Sequence, residues 1–188
     1  ETLKKVNSMS DSPNDYVYKT AKKYLDNNQV PVIVGGDHST PFGAIKAYSE
    51  KYKNFGVLHF DAHSDTRVAY MGFNHSHASI MHNVMERIPG VKKLVQVGIR
   101  DFCEQEYEYT KNNAKIEVYF DQEIQKKKIN GINFSIIAKE IVSKLPENIY
   151  ISFDIDGLDP RYCPNTGTPV PGGLEYHEVL AVIAEIIN

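Results

Sequence analysis

Short runs that are apolar at nearly every position alternate along this chain with longer stretches of helical periodicity, and this alternation restricts the fold more than any other feature. The apolar runs are Val30–Val34, closed by Gly35-Gly36, then Gly56–Phe60 (GVLHF), Lys93–Gly98 (KLVQVG), Ile116–Tyr119 and Ile149–Ile155 (IYISFDI). A strand with one face in water alternates apolar and polar residues, whereas a run apolar throughout belongs to a strand covered on both faces. Between these runs, apolar residues recur at helical spacing in Asp15–Asn27, Ser39–Tyr52, Ser76–Arg87, Phe134–Leu145 and Glu175–Ile187. Pro41 is tolerated in the first turn of the second of these helices. The pattern predicts an α/β chain whose mainly parallel sheet carries helices on both faces. At 188 residues the chain is ample for one domain and short for two.

Composition narrows the function. Net charge is -3, and no basic stripe interleaved with aromatic residues occurs, which argues against a nucleic-acid partner. The run Lys126–Lys128 reads as a solvated polar turn. No stretch is apolar for long enough to span a membrane, and the polar opening Glu1–Ser10 has no signal-peptide character. Cys103 and Cys163 form no C-x-x-C pair, so neither a zinc site nor a disulfide framework is expected, and a reducing, cytoplasmic setting is.

In parallel sheets, ligands sit beyond the carboxyl ends of the strands. Three polar clusters directly follow predicted strands here: Gly35-Gly36-Asp37-His38-Ser39, Asp61-Ala62-His63-Ser64-Asp65 and Asp154-Ile155-Asp156. In an extended segment, side chains at alternate positions share a face, so Asp61, His63 and Asp65 are expected to converge, as are Asp154 and Asp156. For any single Asp the plain alternative is a helix N-cap, and for a single His an ordinary loop or core residue. The group as a whole resists that reading. Neighbouring carboxylates repel and raise one another's pKa unless cations neutralise them. Asp61, Asp65, Asp154 and Asp156 bring four negative charges, a match for two divalent cations, and His38 and His63 add neutral nitrogen donors. A set rich in carboxylate with no thiolate suits a hard ion such as Mn²⁺ better than Zn²⁺. Two such ions lower the pKa of a bound water enough to supply hydroxide near neutral pH.

The stretches GGDHS (35–39), FDAHSD (60–65), SFDIDGLDP and GTPVPGGL (both within 152–174) resemble the ureohydrolase family of arginases and agmatinases, and the resemblance covers most of residues 30–188. It implies a three-layer α/β/α domain of the arginase-like type, two Mn²⁺ ions, and hydrolysis of a guanidino group to urea and an amine. Carried over residue by residue, His38, Asp61, Asp65 and Asp154 hold one ion. Asp61, His63, Asp154 and Asp156 hold the other, so that Asp61 and Asp154 bridge. Asp65 passes a proton to the leaving amine. The family's mobile proton-shuttling histidine aligns with His77 in the loop Gly72–Ser79, with His75 as the alternative.

The resemblance also implies that the loop Pro164–Gly173 lines the pocket, that Asp159 and Pro160 shape that loop rather than bind metal, and that the protein is a homo-oligomer, a trimer or hexamer. The family's fold continues with a strand bearing an acidic clamp for the guanidinium, so residues 1–188 read as one metallohydrolase domain lacking N- and C-terminal parts of that fold. Arginases that resemble this chain place an Asn shortly after the metal motif, where Thr66-Arg67 stands here. Together with the Ser76-His77-Ala78-Ser79 loop this favours agmatine, hydrolysed to putrescine in polyamine biosynthesis. Arginine, guanidinobutyrate and formiminoglutamate are the alternative substrates, and a non-catalytic binding subunit of the same fold is the alternative class.

Overall fold

The computed structural model describes residues 1–187, which fall into two compact units: Glu1–Phe55 with Asp65–Lys92, and Gly56–Ser64 with the stretch from Lys93 onward.

The first unit is helical, with α1 (Thr2–Met9), α2 (Asp11–Asp26), α3 (Phe42–Lys51) and α4 (Ile80–Arg87). Helix α2 turns Ala21 and Leu25, one helical turn apart, inward and leaves Tyr16 in solvent. Helix α3 buries Gly43, Ala44, Ile45 and Ala47. A Cβ on Gly43 would collide with the Asn14 carbonyl, so the close approach of α3 to α2 requires glycine there. Pro41 is the N-cap of α3, just outside the first turn, where its missing N–H costs nothing. The predicted helix over Ser76–Arg87 is a 3₁₀ turn, His77–Ser79, running into α4.

Val30–Val34 is not a strand. Val30, Val32 and Val34 stand exposed, and no strand among the described residues pairs with them. A strand is made by its partner's hydrogen bonds rather than by β-branched residues alone, and Pro31 removes one donor outright.

The second unit is built on a four-stranded sheet of β1 (Phe55–Phe60), β2 (Val91–Ile99), β3 (Ile116–Phe120) and β4 (Ile149–Phe153), in the order β3-β2-β1-β4. The β1–β4 and β2–β3 pairs are parallel, with Leu58 opposite Ile151 and Phe60 opposite Phe153. Every residue of β1 is buried, as its nearly continuous apolar run predicts, whereas β4 at the sheet edge is only partly covered. Leu58 and Phe60 of β1 and Val95 and Val97 of β2 form one apolar face. Against it lie Ile124 of α6 (Asp121–Ile129), Ile137 and Ile141 of α7 (Phe134–Val142) and Val182 of α8 (Tyr176–Ile187).

Two helices of this unit were not expected. Helix α5 (Glu104–Lys111) has almost no apolar periodicity and is held instead by its cap, the Cys103 amide donating to the buried Glu106 carboxylate at 3.0 Å. Lys126–Lys128 form the last turn of α6 rather than a polar turn, where their charges meet the helix's negative end. Two of them are paired as well, Lys127 with Glu140 at 2.6 Å and Lys128 with Glu178 at 2.5 Å. No helix among the described residues is long and apolar enough to cross a membrane.

Candidate metal centre

The sheet register brings two of the acidic clusters side by side. Phe60 and Phe153 are opposite each other at the ends of β1 and β4, and the Asp154 amide donates to the Phe60 carbonyl at 2.8 Å. Beyond β4 the chain closes into a 3₁₀ turn, Ile155–Gly157, which Asp154 caps by accepting the Asp156 amide at 3.2 Å. A Cβ on Gly157 would come within 2.8 Å of the Asp61 amide nitrogen, so only glycine lets this turn lie against the end of β1.

Asp156 is thereby carried to the Asp61-Ala62-His63 segment. Its Oδ1 accepts the Ala62 amide at 3.1 Å, and Thr168 Oγ1 donates to its Oδ2 at 3.3 Å. The His63 ring stands between the two carboxylates, Nδ1 lying 3.3 Å from Asp61 Oδ1 and 3.2 Å from Asp156 Oδ2. Asp61, His63 and Asp156 can each place one donor atom within 4.8 Å of the others. Both carboxylates are buried, Asp61 at 1% and Asp156 at 5% exposure. Burial alone would lower the His63 pKa, but hydrogen bonds to Asp156 and then Asp61 push it up to about 10. Two buried carboxylates thus demand a positive charge between them, and in the absence of metal His63 supplies it as a proton. A hard divalent cation meets the same demand with the same donors, so these residues fit the expected metal.

Asp154 lies outside this group of three. One of its carboxylate oxygens caps the turn, where the chain curls into 3₁₀ geometry after Phe153 and leaves the alternation of an extended strand. The motif Asp61–Asp65 departs from that alternation too. Strand β1 ends at Phe60, and Asp65 adopts a left-handed backbone with φ 53°. Asp is one of the few residues besides glycine that readily adopt that conformation, which here turns the chain away from the line of the strand.

In the first unit, His38 Nδ1 lies 3.3 Å from Asp65 Oδ2, both side chains being nearly buried. The Asp65 carbonyl accepts the Met81 amide at 2.9 Å, which ties this residue to the first turn of α4. His77 opens the 3₁₀ turn that Ser76 caps, with its ring about half exposed and Nδ1 3.4 Å from Asp37 Oδ2. His75 is in a different situation. It packs edge-on against Phe42, and its nitrogens lie 3.1 Å from Asn14 Nδ2 and 3.3 Å from Arg87 Nη1. Burial and then the Arg87 charge lower its pKa. His75 is thus packed among residues of α2, α3 and α4, while His77 is half exposed.

Four polar residues near the acidic cluster carry no motif. His59 and Gln96 are wholly buried within β1 and β2. Thr168 holds Asp156, and Arg100 follows β2. The signal for the first two is a polar residue inside an otherwise apolar strand. Arg100 spreads its guanidinium over backbone carbonyls, those of Asp156 at 2.7 Å, Val170 at 2.9 Å, Gly98 at 3.0 Å and Leu158 at 3.2 Å. The loop from Asp159 to Gly173 is closed at its neck by these bonds and by the Leu158–Leu174 bridge. Asp159 accepts the Arg161 amide at 3.0 Å within that loop.

Comparison with known proteins places the chain. A sequence model described as the Arginase family matches residues 3–188. The agmatinase of Bacillus subtilis (strain 168) is 33% identical over 175 residues, an overlap of 92% of this chain and 55% of that protein. The proclavaminate amidinohydrolase of Streptomyces clavuligerus is 33% identical over 171 residues, covering 87% and 53%. The solved structure of the arginase from Medicago truncatula superposes with a TM-score of 0.79 at 29% identity, covering 92% of this chain and 52% of that one. The chain thus spans about half the length of these relatives. A match that runs through every motif from GGDHS to GTPVPGGL leaves one assignment: this chain belongs to the arginase family.

Proposed function

We propose that this chain is part of a binuclear Mn²⁺-dependent ureohydrolase that cleaves agmatine to putrescine and urea. His38, Asp61, Asp65 and Asp154 would hold one ion, and Asp61, His63, Asp154 and Asp156 the other. The observation that carries the reading is the convergence of the His63 ring with the buried carboxylates of Asp61 and Asp156, 3.3 Å and 3.2 Å from its Nδ1. Divalent ions held there would supply the positive charge that lowers the pKa of water and stabilises negative charge on the oxygen that attacks the guanidinium carbon.

The chain's own residues supply the rest. Asp65, fixed by its backbone and by His38, carries a proton to the departing amine. His77, half exposed beside Asp37, moves protons between the site and solvent as general acid and base. The loop before Gly173, pinned by Arg100, forms a wall of the pocket. Agmatine is favoured because agmatinases recur among the relatives and because Arg67, whose guanidinium lies 5.1 Å from the Tyr70 ring, stands where an arginine-specific site resembling this family has an amide.

The test is urea release from agmatine, arginine and guanidinobutyrate by the protein supplied with Mn²⁺, before and after chelation. Agmatine is expected to be turned over fastest, and chelation to abolish the reaction. Urea release that survives chelation would sink the metal mechanism. A preference for arginine would overturn the substrate and leave the chemistry standing.

A further inference from the structure

Two polar side chains stand inside apolar strands, and the reaction proposed above uses neither. His59 of β1 and Gln96 of β2 have 0% exposure. Their neighbours Leu58, Phe60, Val95 and Val97 face the helix-covered core, so the alternation of a strand turns His59 and Gln96 to the opposite face. Burying an imidazole and an amide is costly unless their polar atoms are bonded.

The bonds that are made determine the state of the ring. Gln96 Nε2 lies 2.7 Å from the Ser64 carbonyl oxygen and 3.0 Å from His59 Nδ1. Reversing the amide would set two acceptor oxygens against each other at Ser64, so the nitrogen belongs where it is. It donates one hydrogen to each partner, which makes His59 Nδ1 an acceptor. The ring proton therefore sits on Nε2, 2.8 Å from Asp61 Oδ2, and donates to that carboxylate. Asp61 Oδ1 meanwhile accepts the His63 amide at 2.6 Å. Both carboxylate oxygens are thus held, from a side chain on one side and from the backbone on the other.

We propose that His59, oriented by Gln96, is a positioning residue that fixes Asp61 as a metal ligand. The inference rests on the metal-hydrolase reading above. Outer hydrogen bonds of this kind set the direction of a ligand and are commonly worth 10- to 100-fold in metal affinity.

Nitrogen chemical shifts of His59 in ¹⁵N-labelled, metal-free protein report the tautomer directly. The Nε2–H form is expected, and an Nδ1–H ring would overturn the proposal. Mn²⁺ affinity, read from the electron paramagnetic resonance of the free ion, is then compared for His59→Phe, Gln96→Leu and His59→Gln, with folding checked by circular dichroism. His59→Phe and Gln96→Leu are expected to weaken Mn²⁺ binding by about 10- to 100-fold. His59→Gln keeps a donor nitrogen at similar reach and should recover most of that loss, which a merely space-filling role would not predict. Unchanged affinity in folded His59→Phe overturns the proposal, as does a His59 nitrogen that binds the ion itself. Should His59→Phe fail to fold, the tautomer and Gln96→Leu decide. Wild-type protein that binds no Mn²⁺ overturns the metal reading, whereas the hydrogen-bond assignment is decided by the nitrogen shifts alone.

Discussion

His63 Nδ1 lies 3.2 Å from Asp156 Oδ2, joining a residue just beyond β1 to one just beyond β4. The pair exists because parallel pairing sets the ends of those strands side by side and Gly157 lets the following turn close onto Asp61. Its charge has consequences that can be measured.

His63 has its pKa raised from the ordinary 6.5 to about 10 in the folded, metal-free chain. A group whose pKa rises on folding stabilises the fold while it is protonated. That contribution is complete below about pH 6.5 and is lost as pH rises through about 10. Thermal melts of chelated protein should therefore show stability falling across this window, and His63→Asn should flatten that part of the profile. A metal ion competes with the same proton, so Mn²⁺ should bind more tightly as pH rises, with proton release visible by calorimetry in two buffers. Affinity that is independent of pH would show that no such competition occurs.

Asp154 caps a turn in the structure and is expected to bridge metal in the family. The two roles separate by substitution. Asp154→Asn keeps an oxygen to accept the Asp156 amide but loses the charge, while Asp154→Ala loses both. A ligand role predicts that both variants lose Mn²⁺ by more than the 10- to 100-fold of an outer hydrogen bond. A capping role alone predicts normal Mn²⁺ binding in Asp154→Asn and a loss of about 1 kcal/mol of stability in Asp154→Ala. Mn²⁺ titration and denaturant melts of the two variants distinguish these outcomes.

His77 is accessible and His75 is packed into the first unit. In the active protein, His77→Ala should lower kcat by about 100-fold, with metal content unchanged and KM little altered, as removal of a proton shuttle requires. His75→Ala should instead lower the melting temperature, through lost contact with Phe42, Asn14 and Arg87, and leave kcat close to normal. Reversed phenotypes would exchange the two assignments.

Arg100 binds the carbonyls of Asp156, Leu158 and Val170. Arg100→Ala should cost at least the ~1.5–3 kcal/mol of one hydrogen bond to a charged group. Amide exchange should accelerate across residues 159–173, while β1 stays protected. Arg100→Lys should restore little, because a single ammonium cannot reach carbonyls on both sides of the loop neck. Exchange in that loop no faster than in the wild type would show that its neck is held by other bonds.

Much of this architecture is legible in the residues alone. The run Gly56–Phe60, apolar at all positions but His59, reads as a strand covered on both sides, and every residue of it is buried. The clusters after β1 and β4 announce an acidic site before any coordinate is known, because so many carboxylates at strand ends call for a cation. Val30–Val34, by contrast, has the β-branched run of a strand, but Pro31 removes a donor and no strand among the described residues pairs with it. Helix α5 has too little apolar pattern to be read and is held by its Glu106 cap.

The sequence by itself determined the fold class and the gathering of carboxylates and histidines able to hold a metal, since both follow from residue type and spacing. Only the tertiary structure decided how the donors stand. Asp154 turns to cap and Asp65 leaves the strand geometry, because backbone dihedrals after a strand are set by the turn that follows and not by alternation. His59 and Gln96 acquire meaning only when β1 and β2 place them within 3.0 Å of each other, 37 residues apart in the chain. A polar residue inside an apolar strand shows that it must have a partner. Which one it finds depends on what the neighbouring strand brings to the same face.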